Sequence, residues 1–127
     1  VPVESALDLV DARQQGRALA SRLGFSPSEA TLIAAAISEL ARNIVTYAGA
    51  GEITLRSDTD STLVITARDR GPGIGDIDAA MEPGNSTSGG LGLGLPGVRR
   101  IADSFDIVSG PEGTTVTTKI RLASRAP

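Results

Sequence analysis

Asp69-Arg70-Gly71-Pro72-Gly73-Ile74-Gly75 opens the stretch around which this chain is organised. Ser88-Gly89-Gly90-Leu91-Gly92-Leu93-Gly94-Leu95-Pro96-Gly97-Val98 closes it. Between the two glycine clusters lies a polar, hydroxyl-rich segment with no helical period. Glycine loses more conformational freedom on folding than any other residue, so such clusters mark sharp bends or close approach. Beyond the second cluster, residues 98–105 read as a helix with Val98, Ile101, Ala102 and Phe105 on one face. A glycine-rich loop feeding a helix start presents unpaired N–H groups and the positive dipole end to an anion. The first ligand to consider is a nucleotide phosphate.

Working outward toward the C-terminus, Ile107-Val108 is a short strand. Gly110-Pro111-Glu112-Gly113 is a turn, and residues 114–122 form a last strand. On the N-terminal side, residues 62–68 alternate at Leu63, Ile65 and Ala67, and residues 52–57 form a partner strand across a turn at 58–61. Before these, Ser26-Pro27-Ser28-Glu29 combines an N-cap hydroxyl, proline at the first helical position and glutamate at the third. The helix it starts runs to about Tyr47–Ala48 and stops at Gly49-Ala50-Gly51. Ile33, Ala36, Ile37, Leu40, Ala41 and Ile44 form its apolar stripe, with Ser38, Glu39, Arg42, Asn43 and Thr46 opposite. An earlier helix carries Leu9, Ala12, Gly16, Leu19, Ala20 and Leu23 on one face and ends at Gly24, after a Ser5/Asp8 pair with capping-box spacing. Residues 1–4 form a short first strand, residues 76–81 at most a short helix, and 82–90 a loop. The order predicts an α+β sandwich, with helices on one face of a mixed, mostly antiparallel sheet.

A length of 127 residues fits one domain with a single core. Twelve basic against fifteen acidic side chains, net −3, argue against a nucleic-acid binder, which would show a basic stripe. Without cysteine there is no disulfide or thiolate metal site, which fits a cytoplasmic protein. Without histidine there is neither the usual general base nor a histidine phosphoacceptor. Lys119 is the only lysine. No apolar run is long enough to cross a bilayer, and no basic-then-apolar leader is expected ahead of the domain.

Three motifs carry chemistry, each with a bland alternative. Glu39 and Asn43 are four apart on one helix face, which is either a solvated face or a carboxylate base beside an amide oxygen for a hard metal ion. Mg²⁺ needs few protein oxygens when substrate phosphates and water supply the rest. Asp69-Arg70-Gly71-Pro72-Gly73, directly after a strand, is either a strand-ending turn or an acceptor for an exocyclic amine, with glycines against a flat base. Gly92-x-Gly94-x-x-Gly97 formally matches the dinucleotide fingerprint. A polar loop rather than a strand precedes it, an antiparallel hairpin rather than a βαβ unit follows, and no lysine follows these glycines to make a P-loop.

Together these motifs run Glu-x-x-x-Asn, Asp-x-Gly-x-Gly, Gly-x-Gly-x-Gly, then Gly113-Thr114-Thr115. That order resembles the GHKL ATPase/kinase superfamily over nearly the whole chain, so the expected fold is the Bergerat-type two-layer sandwich in a single domain, 1–127. Within it, Ile37-Ser38-Glu39-Leu40-Ala41-Arg42-Asn43-Ile44 and Ser86-Thr87-Ser88-Gly89-Gly90-Leu91-Gly92 continuing to Gly94-Leu95-Pro96-Gly97-Val98 look most like the anti-sigma-factor type serine kinases, and among them the stressosome switch kinases.

By that resemblance the cofactors are ATP and Mg²⁺. Asn43 would hold the metal, and Glu39 would take the proton of a substrate serine. Asp69 would bind the adenine amine, Gly71 and Gly73 would shape its pocket, and Thr115 would be a second adenine contact. Ser88, Gly89, Gly90, Leu91, Gly92 and Gly94 would cradle the phosphates. The implied partners are a STAS-domain antagonist of the RsbS or RsbR kind, phosphorylated on serine, and a PP2C-type phosphatase of the RsbU kind. The rival readings are an anti-sigma factor that sequesters a sigma subunit and a nucleotide-binding module with negligible turnover.

Residues 76–90 read as the lid over the nucleotide. Their charges are acidic, so any cation at the phosphates is expected from a partner or from Arg42. Slow ATP hydrolysis by the isolated protein is the corresponding expectation.

Overall fold

The computed structural model describes residues 1–58, 62–73 and 94–122. In chain order the elements are β1 (Pro2–Val3), α1 (Ala6–Leu23), α2 (Pro27–Ala48), β2 (Gly51–Asp58), β3 (Thr62–Asp69), α3 (Gly94–Ile101), β4 (Ser104–Gly110) and β5 (Gly113–Arg121). The strands form one sheet in the order β1-β2-β3-β5-β4. Every described pairing is antiparallel, so the expected mixed character is not found among these residues.

Alternation assigns the two faces of the sheet. Leu63, Ile65 and Ala67 of β3 stand opposite Ile120, Thr118 and Val116 of β5, and all six are buried. They meet the apolar stripe of α2, where Ile33, Ile37, Leu40, Ala41 and Ile44 are buried. The helices therefore cover this face, and the polar residues Glu52, Thr54, Arg56 and Arg68 alternate onto the other. Val64 lies on that second face yet is 1% exposed. Its register neighbours are Arg56 and Lys119.

The two long helices start differently. Ser26 accepts from the Glu29 amide at 3.1 Å, and the Glu29 carboxylate accepts from the Ser26 amide at 3.0 Å, a complete capping box. Ser5 makes no such bond. Asp8 reaches past it instead, accepting from the Glu4 amide at 2.9 Å, so the Ser5/Asp8 spacing does not produce the expected box. α1 ends at Gly24 in the left-handed region, φ 103°. Gly16 sits where α1 crosses α2, and a Cβ there would collide with Ile37 Cδ1.

The third helix departs from the sequence expectation. It spans Gly94–Ile101 rather than 98–105, and Phe105 belongs to β4 opposite Thr118. Pro96 fits inside its first turn, where backbone N–H groups have no helical partner to lose. The helix ends because the Asp103 amide is captured by the Lys119 carbonyl at 2.9 Å, which starts the β4–β5 ladder. Phe105 satisfied both a helical spacing from Ile101 and the strand alternation with Ile107, and the ladder decides between them. Among the described residues no helix is long and apolar enough to cross a membrane.

Candidate functional site

α2 carries the polar side chains that matter. Glu39 is 6% exposed, so this part of the stripe is not a solvated face. Its Oε1 accepts from Arg42 Nη1 at 2.9 Å, one turn on. Burying a carboxylate is costly unless it is paired, and Arg42 is that partner. Ser38 turns back on its own helix, donating to the Ala34 carbonyl at 3.1 Å. Asn43 is half-buried and makes no side-chain hydrogen bond among the described residues. Thr46 is exposed.

Asp69 is the last residue of β3, inside the ladder rather than after it. It is 6% exposed and stands opposite Thr114. Its Oδ1 accepts two backbone amides, from Gly71 at 3.0 Å and from Thr114 at 3.2 Å. The Gly71 bond is an Asx-type turn, the Thr114 bond a tertiary one. Among the described residues no donor reaches Oδ2. The acid is thus anchored by one oxygen and offers the other, the arrangement required to accept from a ligand amine.

Gly71 and Gly73 serve first to let protein backbone approach protein backbone. A Cβ at Gly71 would lie 2.5 Å from Ala48 Cβ and 2.8 Å from Ala48 Cα. Gly73 has φ 87°, and a Cβ there would strike the Gly110 carbonyl. The loop from Arg70 to Gly73 is therefore wedged between the end of α2 and the β4–β5 turn. Ile44 Cγ2 and Asp69 Cβ both lie beside Gly51, at 2.7 and 3.1 Å from where its Cβ would be. The C-terminal half of α2 thus lies over the end of β3, with Glu39 roughly 6 Å further up the helix than Asn43.

Thr115 does not join this group. Register pairs it with Arg68 and Val108, on the face away from the helices. Thr114 takes its place: it is 3% exposed, donates its amide to Asp69, and shares a 2.7 Å hydroxyl contact with Ser109. The signal for it was the alternation Thr114, Val116, Thr118, Ile120, whose apolar members point to the core. Gly94 opens α3 with φ 55°. Ser88, Gly89, Gly90, Leu91 and Gly92 lie outside the described residues, as does the proposed lid over 76–90. A hollow of about 440 Å³ is lined by Ala50, Gly51, Glu52, Arg68, Asp69 and Arg70. Neither Glu39 nor Asn43 lines it, so it is not the space these two residues share.

The donor set fits ATP and Mg²⁺. The free oxygen of Asp69 suits the adenine amine and mismatches an oxo group. Among the described residues no group of three or more His, Cys, Asp or Glu could hold a metal. A metal here would have to be carried mainly by phosphates and water, and Asn43 could add one hard oxygen, as Mg²⁺ is commonly bound beside a nucleotide.

A family model described as a histidine kinase-like ATPase domain matches residues 2–120. The chain is 50% identical over 120 residues to the serine/threonine-protein kinase RsbT of Bacillus subtilis (strain 168), covering 91% of this chain and 90% of that protein. Among solved structures, the histidine kinase domain of the Erythrobacter litoralis EL346 blue-light activated kinase aligns with TM-score 0.60 at 21% identity. That match covers 92% of this chain and 62% of the solved one, so this chain spans less than two thirds of it. The mycobacterial sensor histidine kinase MprB aligns with TM-score 0.57 at 16% identity, over 95% of this chain and 96% of that one. At these identities the two structures share the fold alone.

Proposed function

The chain belongs to the histidine kinase-like ATPase domain family, and on that premise we propose that it is an ATP- and Mg²⁺-dependent protein serine kinase that also acts as a partner-switching protein. The observation that carries the reading is the buried, oriented Glu39, one turn before Asn43 on a helix that lies over Asp69. A pure nucleotide binder needs Asn43 and Asp69 but gains nothing from a carboxylate held out of water.

Each residue then has one task. Asp69 Oδ2 accepts from the adenine amine, while Oδ1 stays tied to the Gly71 and Thr114 amides. Asn43 offers its side-chain oxygen to the metal. Bound Mg²⁺–ATP supplies the transferable phosphoryl group and the charge that neutralises it. Glu39 accepts the proton of the incoming serine hydroxyl through Oε2, the oxygen Arg42 leaves open. The Ser88–Gly92 run and Gly94 complete the phosphate cradle in this reading.

The 50% identity to RsbT supports extending the reading to partners. The phosphoacceptor is a serine on a STAS-domain antagonist, and the released kinase activates a PP2C-type phosphatase. The setting is the cytoplasm, where ATP is available. The experiment is to recover the antagonist by pull-down with and without ATP, map its phosphoserine, and compare the original protein with Glu39→Ala. The variant is expected to keep its ATP affinity and to lose phosphotransfer by roughly 10²–10⁴-fold, the usual worth of a general base. An unchanged rate removes Glu39 from that role.

A further inference from the structure

We propose that Arg42 is a positioning residue for this reaction: it holds the Glu39 carboxylate by one oxygen so that the other faces the substrate hydroxyl. The proposal rests on the reading of Glu39 as the base. Glutamate has three rotatable side-chain bonds and, when ionised, two acceptor oxygens. Burial to 6% restricts where its carboxylate can go but does not fix its plane. The Arg42 Nη1 bond to Oε1 at 2.9 Å does, and among the described residues it is the only hydrogen bond Glu39 makes. Arg42 stays charged and cannot accept the proton, so one base remains in the pair.

The geometry matters because a proton is taken only within hydrogen-bond reach, about 2.6–3.2 Å. A misplacement of about 1 Å can cost roughly 10²-fold in rate. The same bond argues against the other task open to Arg42, a cation on the transferring phosphate. Its side chain is 33% exposed and lies against Glu39 at ion-pair distance, so moving to phosphate would strip the buried carboxylate of its partner. A third reading, a helix-stabilising pair at i and i+3, gives stability without kinetic effect.

The test uses Arg42→Ala, Arg42→Lys and Arg42→Gln in the original background and in Glu39→Gln. Melting curves establish that each variant is folded, and calorimetry gives ATP affinity. Positioning predicts ATP affinity within about twofold of the original, and kcat for phosphotransfer lower by about 10–10²-fold, with KM for the protein substrate little changed. Arg42→Lys recovers part of kcat, and millimolar guanidinium recovers part of it in Arg42→Ala. None of the three Arg42 substitutions lowers the residual rate of Glu39→Gln further. Independently of activity, a crystal structure of nucleotide-free Arg42→Ala shows the Glu39 carboxylate in new or multiple rotamers.

Should Arg42→Ala fail to fold, Arg42→Gln and Arg42→Lys carry the same comparisons. Full kcat in folded Arg42 variants, with Glu39→Gln inactive, overturns the proposal and spares the base. Lower ATP affinity overturns it in favour of a phosphate contact. Full activity of Glu39→Gln overturns the base itself, whatever Arg42 does.

Discussion

Asp69 and Thr114, 45 residues apart in sequence, face each other across the β3–β5 ladder, and the Thr114 amide donates to Asp69 Oδ1 at 3.2 Å. The bond is buried and belongs to the sheet as much as to the site. It sets the direction of the second carboxylate oxygen, the one that the proposed reading turns toward the adenine amine.

Asp69→Asn keeps the shape and can keep an acceptor toward the two amides. Its NH₂ group then replaces the free oxygen and meets the adenine amine donor to donor. ATP affinity is expected to fall by about 1.5–3 kcal/mol, the range for a charged hydrogen bond. The original protein should bind GTP poorly, because guanine carries an oxo group at that position. Equal calorimetric affinities for ATP and GTP would remove Asp69 from base recognition.

Asn43→Ala deletes the only metal oxygen assigned to α2. Affinity for ATP measured with Mg²⁺ should drop, while affinity in excess chelator stays as it was. The quantity to compare is the ratio of the two constants in variant and original. A ratio that does not change places the metal contact elsewhere.

Ser26 and Ser5 stand at equivalent helix positions with different bonds. Ser26→Ala breaks a complete capping box and should cost about 0.5–2 kcal/mol by denaturant titration. Ser5→Ala removes no cap bond and should cost clearly less. Equal losses would mean that the hydrogen bond to the Glu29 amide is not what Ser26 contributes.

Thr118 is fully buried between β3 and β4 neighbours, and its hydroxyl has no hydrogen-bond partner among the described residues. Leaving a polar group in that state costs about 1–3 kcal/mol. Thr118→Val keeps the branched shape and removes the hydroxyl, so it should raise stability, by about 1 kcal/mol after imperfect packing. A destabilised variant would show that the hydroxyl is satisfied in solution, most simply by a buried water.

Much of the fold was written in local patterns. Ser26-Pro27-Ser28-Glu29 fixed the start of α2 to the residue, and Gly49 its end. The alternation of Leu63, Ile65 and Ala67 fixed β3 and its buried face. The spacing of Glu39 and Asn43 fixed their common helix face, because a helix brings residues four apart together whatever surrounds it. The resemblance of three motifs in order named the family, which the match over residues 2–120 bears out.

Tertiary structure decided the rest. Whether Thr114 or Thr115 stands by Asp69 depends on a register between strands that begin far apart in the chain, and a slip of one residue exchanges the faces. Whether Glu39 is solvated or buried depends on the sheet beneath α2, which the helix's own polar stripe does not report. Phe105 left the expected helix because β5 offered its neighbours a ladder. The glycines at 71 and 73 were legible as glycines, but their contacts with Ala48 and Gly110 arise only when α2 and the β4–β5 hairpin close on the loop. Local sequence sets what lies one helical turn or one strand residue away. Partners across the sheet are chosen by packing and hydrogen bonding between segments whose separation along the chain carries no short-range signal.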